Sequence, residues 1–299
     1  MNILPDNGRP IGLLAGWGNL PINVAKELRR IGRPVICAAV KDHADPVLEE
    51  ICHDTLWIGL AHLGRIISHF QQHGATDATM AGKIHKVRLF DPDFLIKHFP
   101  DWYTVRVFAP HFLWGTADRK DDTLLMAIVD GLGRKGITFQ PPTDFAPELL
   151  VKIGLIAGQN PRGRLLRDIE FGWRLAKEIG RLDIGQSVAV KNQAVMALEA
   201  IEGTDECILR AGKLCRSGGF TLVKVAKPQQ DMRFDVPTVG VQTLEKMVEA
   251  GGKTLVIEAG KTILLDEPAV VEFARKHRLT ILAISEDRVA QFCNPSEAA

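Results

Sequence analysis

Long hydrophobic runs are missing from this 299-residue chain. Nowhere does it approach the ~20 consecutive apolar residues that a membrane-spanning helix needs. The opening "MNILPDNGRPIGLLAG" has no basic region followed by an apolar stretch and a small-residue cleavage site, so it does not read as a secretory signal. Paired cysteines are missing too. Cys37, Cys52, Cys207, Cys215 and Cys293 form no CxxC spacing, and an odd, scattered set suits a reducing cytoplasm with buried thiols rather than a disulfide framework. Charge of one sign is lacking: the formal net charge is +1, which leaves no global field to gather nucleic acid or anionic lipid. The nine histidines show no HxH or HExxH spacing. His69 and His73 stand four apart on one expected helix, where two ligands can share a face, but no carboxylate joins them in the sequence. They read as surface or partly buried residues. There is no internal repeat and no low-complexity tract.

What is present is an α/β pattern. "PIGLLAG", "RPVICAAV", "TLWIGL" and "DATMAG" are short apolar, partly β-branched runs. Between them lie "LPINVAKELRRIG" and "AHLGRIISHFQQHGA", whose apolar residues recur at helical spacing. Strands alternating with helices of this length predict βαβ units and a parallel sheet. "RKDDTLLMAIVDGLGRKG" predicts a further helix, and the Pro-Pro pair after it breaks any regular element. The second half predicts mixed α/β structure: a helix over "RDIEFGWRLAKEIGRLDIG", paired strands over "QSVAVKNQAVMALEA", strands at "FTLVKVAK", "KTLVIEAG", "KTILLD" and "LTILAIS", and helices at "GVQTLEKMVEAG" and "EPAVVEFARKHR". The expected organisation is an N-terminal Rossmann-like parallel-sheet domain over 1–145, a linker over 146–160 and a mixed α/β C-terminal domain over 161–299, which would carry the catalysis.

Two kinds of candidate site emerge. "GLLAGWGNLP" (12–21) ends a strand and opens a helix. Gly16 and Gly18 there let backbone approach a ligand, and amides at the helix start suit a phosphate. The dinucleotide fingerprint G-x-G-x-x-G is incomplete, because Pro21 stands where its third glycine belongs; a nicotinamide oxidoreductase is disfavoured on that ground. "MAGKIHK" places Gly82 and Lys83 after the fourth strand, at the sheet edge where such folds bind ligands. The other kind is acidic. "RKDDTLL", "IEGTDECILRAG" and "DMRFDVPTVG" set carboxylates near Arg210 and Arg233, on what read as short loops in the last two. Carboxylate oxygens suit Mg²⁺, and phosphoryl chemistry needs positive charge around the phosphate oxygens. Helix caps and surface ion pairs are the competing reading of the same clusters.

These stretches resemble a known family, the LpxI-type UDP-2,3-diacylglucosamine pyrophosphatases of lipid A synthesis. The likeness is carried in family order by "IGLLAGWGNLP", "ADP" (44–46), "AGKIHK", "DDTLL", "EIGRLDIGQSVAV", "ALEAIEGTD", "KVAKPQQDMRFDVPTVG" and "EAGKTILLD". It implies two domains, and hydrolysis of the pyrophosphate bond of UDP-2,3-diacylglucosamine to lipid X and UMP by attack of water at the β-phosphorus. It also implies Mg²⁺ or another divalent cation and a cytoplasmic homodimer, with peripheral contact at the inner membrane. The substrate is a lipid-linked sugar nucleotide; no nucleic acid partner is expected. The family's R-x-D-x-P-T-x-G motif marks Asp235 as the essential carboxylate, with Asp231 and Arg233 as further catalytic candidates. Asp235, Glu202 and Asp205 become the expected metal ligands, the ligand role being favoured over that of a base for Asp235. Gly16, Gly18, Asn19, Leu20, Gly82, Lys83, Asp122, Thr204 and Lys227 become the expected substrate-binding residues. Residues 90–103 and 111–116, rich in aromatics, are candidates to line an acyl-chain cleft. A non-catalytic sugar-nucleotide or lipid-binding protein with the same cleft is the alternative.

Overall fold

The computed structural model describes residues 8–59, 61–82, 100–113, 121–233 and 235–293, with backbone alone for 110–113, 121–124 and 290–293. The chain divides into two compact units. The first comprises 1–147 with Met232–Phe234, and the second 148–231 with 235–299.

The first unit is built on five parallel strands: β1 (Ile11–Ala15), β2 (Val35–Val40), β3 (Asp54–Ile58), β4 (Asp77–Ala81) and β5 (Thr138–Phe139). Their order is β3-β2-β1-β4-β5, that of a doubly wound sheet whose strand order reverses between β1 and β4. β1 and β2 are buried along their whole length, as continuous apolar runs must be when helices cover both faces. Helices α1 (Leu20–Arg30), α2 (Leu48–Ile51), α3 (Leu63–Gln72), α4 (Trp102–Leu113), α5 (Asp121–Gly133) and α6 (Pro142–Phe145) complete the unit. On α3, Ile66, Ile67 and Phe70 face the core with Leu14, Ile36, Val40 and Leu132. Their i, i+1, i+4 spacing is the apolar stripe of a core-facing helix.

The second unit contains a six-stranded sheet of order β6-β13-β11-β9-β7-β8. Its strands are β6 (Gly154–Ala157), β7 (Ser187–Lys191), β8 (Ala194–Leu198), β9 (Thr221–Lys224), β11 (Thr254–Glu258) and β13 (Thr280–Ile284). β9, β11 and β13 are parallel, whereas β6, β7 and β8 pair antiparallel with their neighbours. A separate two-stranded pair joins β10 (Thr238–Val239) to β12 (Ile263–Leu264). The helices are α7 (Arg164–Arg181), α8 (Thr204–Leu214), α9 (Val241–Glu249), α10 (Glu267–His277) and α11 (Glu286–Cys293). Strand alternation sends Val188 and Val190 toward Ile169 and Trp173 of α7, and Ala189 toward Cys207 and Ile208 of α8. The sheet therefore has a core on each face. The β7–β8 hairpin turns through Asn192 and Gln193, both at positive φ, as a two-residue turn that matches strand twist requires. The buried Asp168 carboxylate accepts both of their amides, at 2.9 and 2.6 Å.

The expected parallel sheet and mixed second half are both observed. Two local expectations are corrected. The stretch 146–160, expected as a linker, contains β6, which closes one edge of the second sheet against β13. The acidic stretch expected on a loop at 202–205 runs into α8, because Cys207, Ile208 and Ala211 form a buried helical stripe. Asp205 and Glu206 occupy its first turn, where carboxylates complement the helix dipole. Cys37, Cys52, Cys207 and Cys215 are free and buried, as expected of filler thiols; burial, with Glu199 adding to it, pushes the Cys207 thiol up to about 12. Among the described residues no helix is long and apolar enough to cross a membrane.

Candidate functional site

In the first unit, the switch point between β1 and β4 gathers most of the residues expected there. Gly16 donates its amide to the Ala81 carbonyl at 2.9 Å, tying the two strand ends together. Gly82 follows at φ +93°, and a Cβ on it would lie 2.8 Å from the Gly16 carbonyl carbon and the Trp17 oxygen. Only glycine fits that approach and that backbone conformation. Gly18, at φ +101°, turns the chain into α1, which begins at Leu20. Asn19 is the N-cap residue but makes no side-chain capping bond. Backbone amides thus open α1 at the carboxyl edge of the sheet, where folds of this order hold phosphate groups. Lys83 lies outside the described residues, as does the side chain of Asp122. Of the two aromatic stretches, only the side chains of 100–103 are described; there Trp102 is largely exposed and Tyr103 packs on the core.

The second unit supplies charge rather than backbone. At the carboxyl end of β9, Lys224 is 7% exposed and donates to the Thr204 hydroxyl at 2.8 Å. Thr204 donates onward to Glu199 Oε1 at 3.0 Å, and the Ser187 hydroxyl is 3.4 Å from the same Thr204 oxygen. Glu199 is also 7% exposed, and its Oε2 has no hydrogen-bond partner among the described residues. A buried acceptor left open is expensive, and such groups concentrate where a protein binds or reacts. Beside this cluster, Glu258 ends the buried strand β11 and is 3% exposed. Lys177 Nζ reaches both its oxygens at 2.8 and 2.7 Å, Lys261 Nζ lies 3.0 Å away, and the Ala226 amide donates to Oε2 at 2.8 Å.

From Ala226 the chain enters the loop that carries the matched motif. Lys227 pairs with Asp183 at 2.7 Å. Gln230 accepts the Lys227 amide through Oε1 at 2.8 Å and donates through Nε2 to Asp235 Oδ2 at 2.6 Å. The Asp235 amide returns to the Asp231 carbonyl at 3.1 Å. Pro237 then leads into β10, its carbonyl accepting the Ile263 amide at 2.8 Å. Asp235 is therefore half-buried, aimed by Gln230 and held on a segment pinned at both ends. Arg233 lies in the short segment that groups with the first unit.

The expected metal set does not assemble as a cage. Glu202 is bound by the Arg210 guanidinium, which also donates to the Leu198 carbonyl at 2.7 Å. Its own backbone amide, and then Arg210, hold the Glu202 carboxyl below its usual value. Asp205 is exposed on α8. Among the described residues, Asp235, Glu202 and Asp205 form no group of ligand atoms lying within 4.8 Å of one another. Mg²⁺ does not require one: it keeps several waters and is held by one or two carboxylates plus substrate phosphates. Asp235 suits that mode as a single half-buried carboxylate, its Oδ2 oriented by Gln230 at 2.6 Å.

Lys224, Glu199, Ser187, Lys177, Glu258 and Gln230 are the residues the sequence reading missed. The signal existed for three of them. A lysine inside "FTLVKVAK" and a glutamate at the end of "KTLVIEAG" interrupt buried strands, where charge needs a partner. Lys177 sits on the apolar face of its helix, near the Trp173 ring.

Comparison with known proteins agrees with this layout. Residues 10–149 match the LpxI N-terminal domain and residues 152–282 the LpxI C-terminal domain. The UDP-2,3-diacylglucosamine pyrophosphatase LpxI of Caulobacter vibrioides is 30% identical over 284 residues, covering 92% of this chain and 98% of that protein. With both domains matched in order and nearly the full length aligned, the chain belongs to the LpxI family.

Proposed function

We propose that this protein hydrolyses the pyrophosphate bond of UDP-2,3-diacylglucosamine, giving lipid X and UMP in lipid A synthesis, with Mg²⁺ as its cofactor. The observation that carries the reading is Asp235 in "RFDVPTVG", oriented by Gln230, in a chain of the family whose Caulobacter member bears that activity in its name. Water's oxygen bonds to the β-phosphorus as its proton passes to solvent, the bond from that phosphorus to the bridging oxygen breaks, and UMP leaves with the bridging oxygen on its phosphate. Asp235 would hold the metal, which supplies positive charge to the phosphate oxygens. The chain's own contribution is placement. Lys227, on the loop that leads to Asp235, would offer an ammonium group to a phosphate; in the first unit, the glycine turn at Gly16–Leu20 with Gly82 would offer backbone amides to an anionic group. The same reading takes the protein as a homodimer that meets the membrane only peripherally, which light scattering and vesicle flotation test. Hydrolysis in ¹⁸O-labelled water with Mg²⁺ tests the reaction. Label in lipid X and none in UMP is the expected result. Label in UMP overturns attack at the β-phosphorus, and tight substrate binding without UMP release makes the protein a binding protein.

A further inference from the structure

The structure brings a third ligand to the histidine pair of α3. His73 Nε2 lies 3.0 Å from Asp54 Oδ2, and His69 Nδ1 lies 3.9 Å from the same oxygen. The two rings meet edge to face with centroids 4.9 Å apart, and one ligand atom from each of the three residues falls within 4.8 Å of the others. Four-coordinate zinc with bonds of about 2.0–2.1 Å sets its ligand atoms roughly 3.3 Å apart, so the Asp54–His73 pair need open only slightly and His69 move a little closer to surround an ion. The His73 ring is already oriented for it. Its Nδ1 stands 2.9 Å from the His69 carbonyl, which can only accept, so Nδ1 carries a proton. With Nδ1 committed to that carbonyl, Nε2 is the ring nitrogen that faces the Asp54 carboxylate. A backbone carbonyl on the far nitrogen is the outer support that metal-binding histidines commonly have. His69 is 8% exposed and its Nε2 has no partner among the described residues. Asp54, by contrast, has a half-exposed side chain, which leaves a further position open to water.

We propose that Asp54, His69 and His73 form a binding site for a Zn²⁺-class ion, with three protein ligands and water. Two imidazoles and one carboxylate suit zinc and its neighbours, whereas Mg²⁺ and Ca²⁺ select all-oxygen sites. Within the first unit the site stands apart from the glycine turn. Asp54 opens β3 at the amino edge of the parallel sheet, while Gly16 and Gly82 leave β1 and β4 at the carboxyl edge, about 15 Å of strand away at 3.3 Å per residue. An ion here fastens the end of α3 to the start of the edge strand β3, and takes no part in phosphoryl transfer.

The test uses the full chain freed of metal by chelation and titrated with ZnCl₂ by calorimetry, with Co²⁺ absorption as a spectroscopic reporter. The wild type should bind one Zn²⁺ tightly, show the visible band of four-coordinate Co²⁺, and melt at a higher temperature with Zn²⁺. His73→Ala and Asp54→Asn alter accessible side chains. Each should weaken this binding by about tenfold or more, abolish the band and remove the thermal shift, while UMP release with Mg²⁺ is unchanged. Millimolar Mg²⁺ should not displace the ion. Absence of stoichiometric Zn²⁺ binding by the wild type overturns the proposal, and so does binding of equal affinity in both variants.

Discussion

The two units build their candidate sites from different materials. The first uses backbone: parallel strands end in glycines, and a helix begins where they end. The second uses side chains: Lys177 with Glu258, Lys224 with Thr204 and Glu199, and Gln230 with Asp235. Backbone amides carry no net charge, and a turn that leaves them facing solvent or a ligand avoids the cost of burying them unpaired. Buried lysines and carboxylates are costly to desolvate and persist only when closely paired. The first unit should therefore be sensitive to shape and tolerant of charge changes, and the second the reverse.

The largest effect on stability is expected at Glu258. Glu258→Gln leaves Lys177 without its counter-ion in a site largely closed to water and should lower stability by about 3–5 kcal/mol in urea titrations. Replacing both partners, Lys177→Met with Glu258→Leu, should recover most of that loss, because the uncompensated charge is gone. If the double variant is as unstable as the single one, charge pairing is not what holds this strand end. In the first unit the corresponding probe is steric. Gly82→Ala sets a methyl group against the Gly16–Trp17 backbone at positive φ and should cost about 2–4 kcal/mol, measured the same way. A neutral result would mean that the switch point is less closely built than the glycine contact indicates. A smaller effect is expected at Gln230, which orients rather than supports. Gln230→Ala should lower kcat about tenfold, equivalent to about 1.4 kcal/mol in the barrier, with little change in KM or urea midpoint. A fall in stability with kcat intact would make Gln230 structural.

The same contrast explains what could be read in advance. The first sheet was legible because its strands are unbroken apolar runs divided by amphipathic helices, and local pattern suffices for that topology. The glycine turn was legible because its constraint is itself local: Gly18 at positive φ, then Leu20 opening α1. The second unit's networks are made by residues far apart in the chain. Lys177 and Glu258 stand 81 positions apart and meet only because α7 lies across the sheet that β11 crosses. Thr204 stands out in its motif, but its partners Lys224 and Glu199 arrive from β9 and the end of β8. Glu202 shows the converse. Its carboxylate is paired with Arg210, eight residues on along α8, a partner that spacing alone does not show. The Asp54–His69–His73 group was missed for the same reason: the pair is local to α3, but its carboxylate comes from β3.

The central claim is that Asp235 carries the chemistry while the surrounding networks only place it. The most direct measurement is UMP release from UDP-2,3-diacylglucosamine by Asp235→Asn beside the wild type, with substrate binding and urea midpoint determined on the same preparations. Asparagine keeps the shape and can still bond to Gln230, but it removes the negative charge. The account predicts a fall in turnover of about 10²–10⁴-fold, with binding and stability close to wild type, since losing a transition-state interaction need not weaken ground-state binding. Turnover within a few-fold of wild type, from a folded variant that binds substrate, would contradict it.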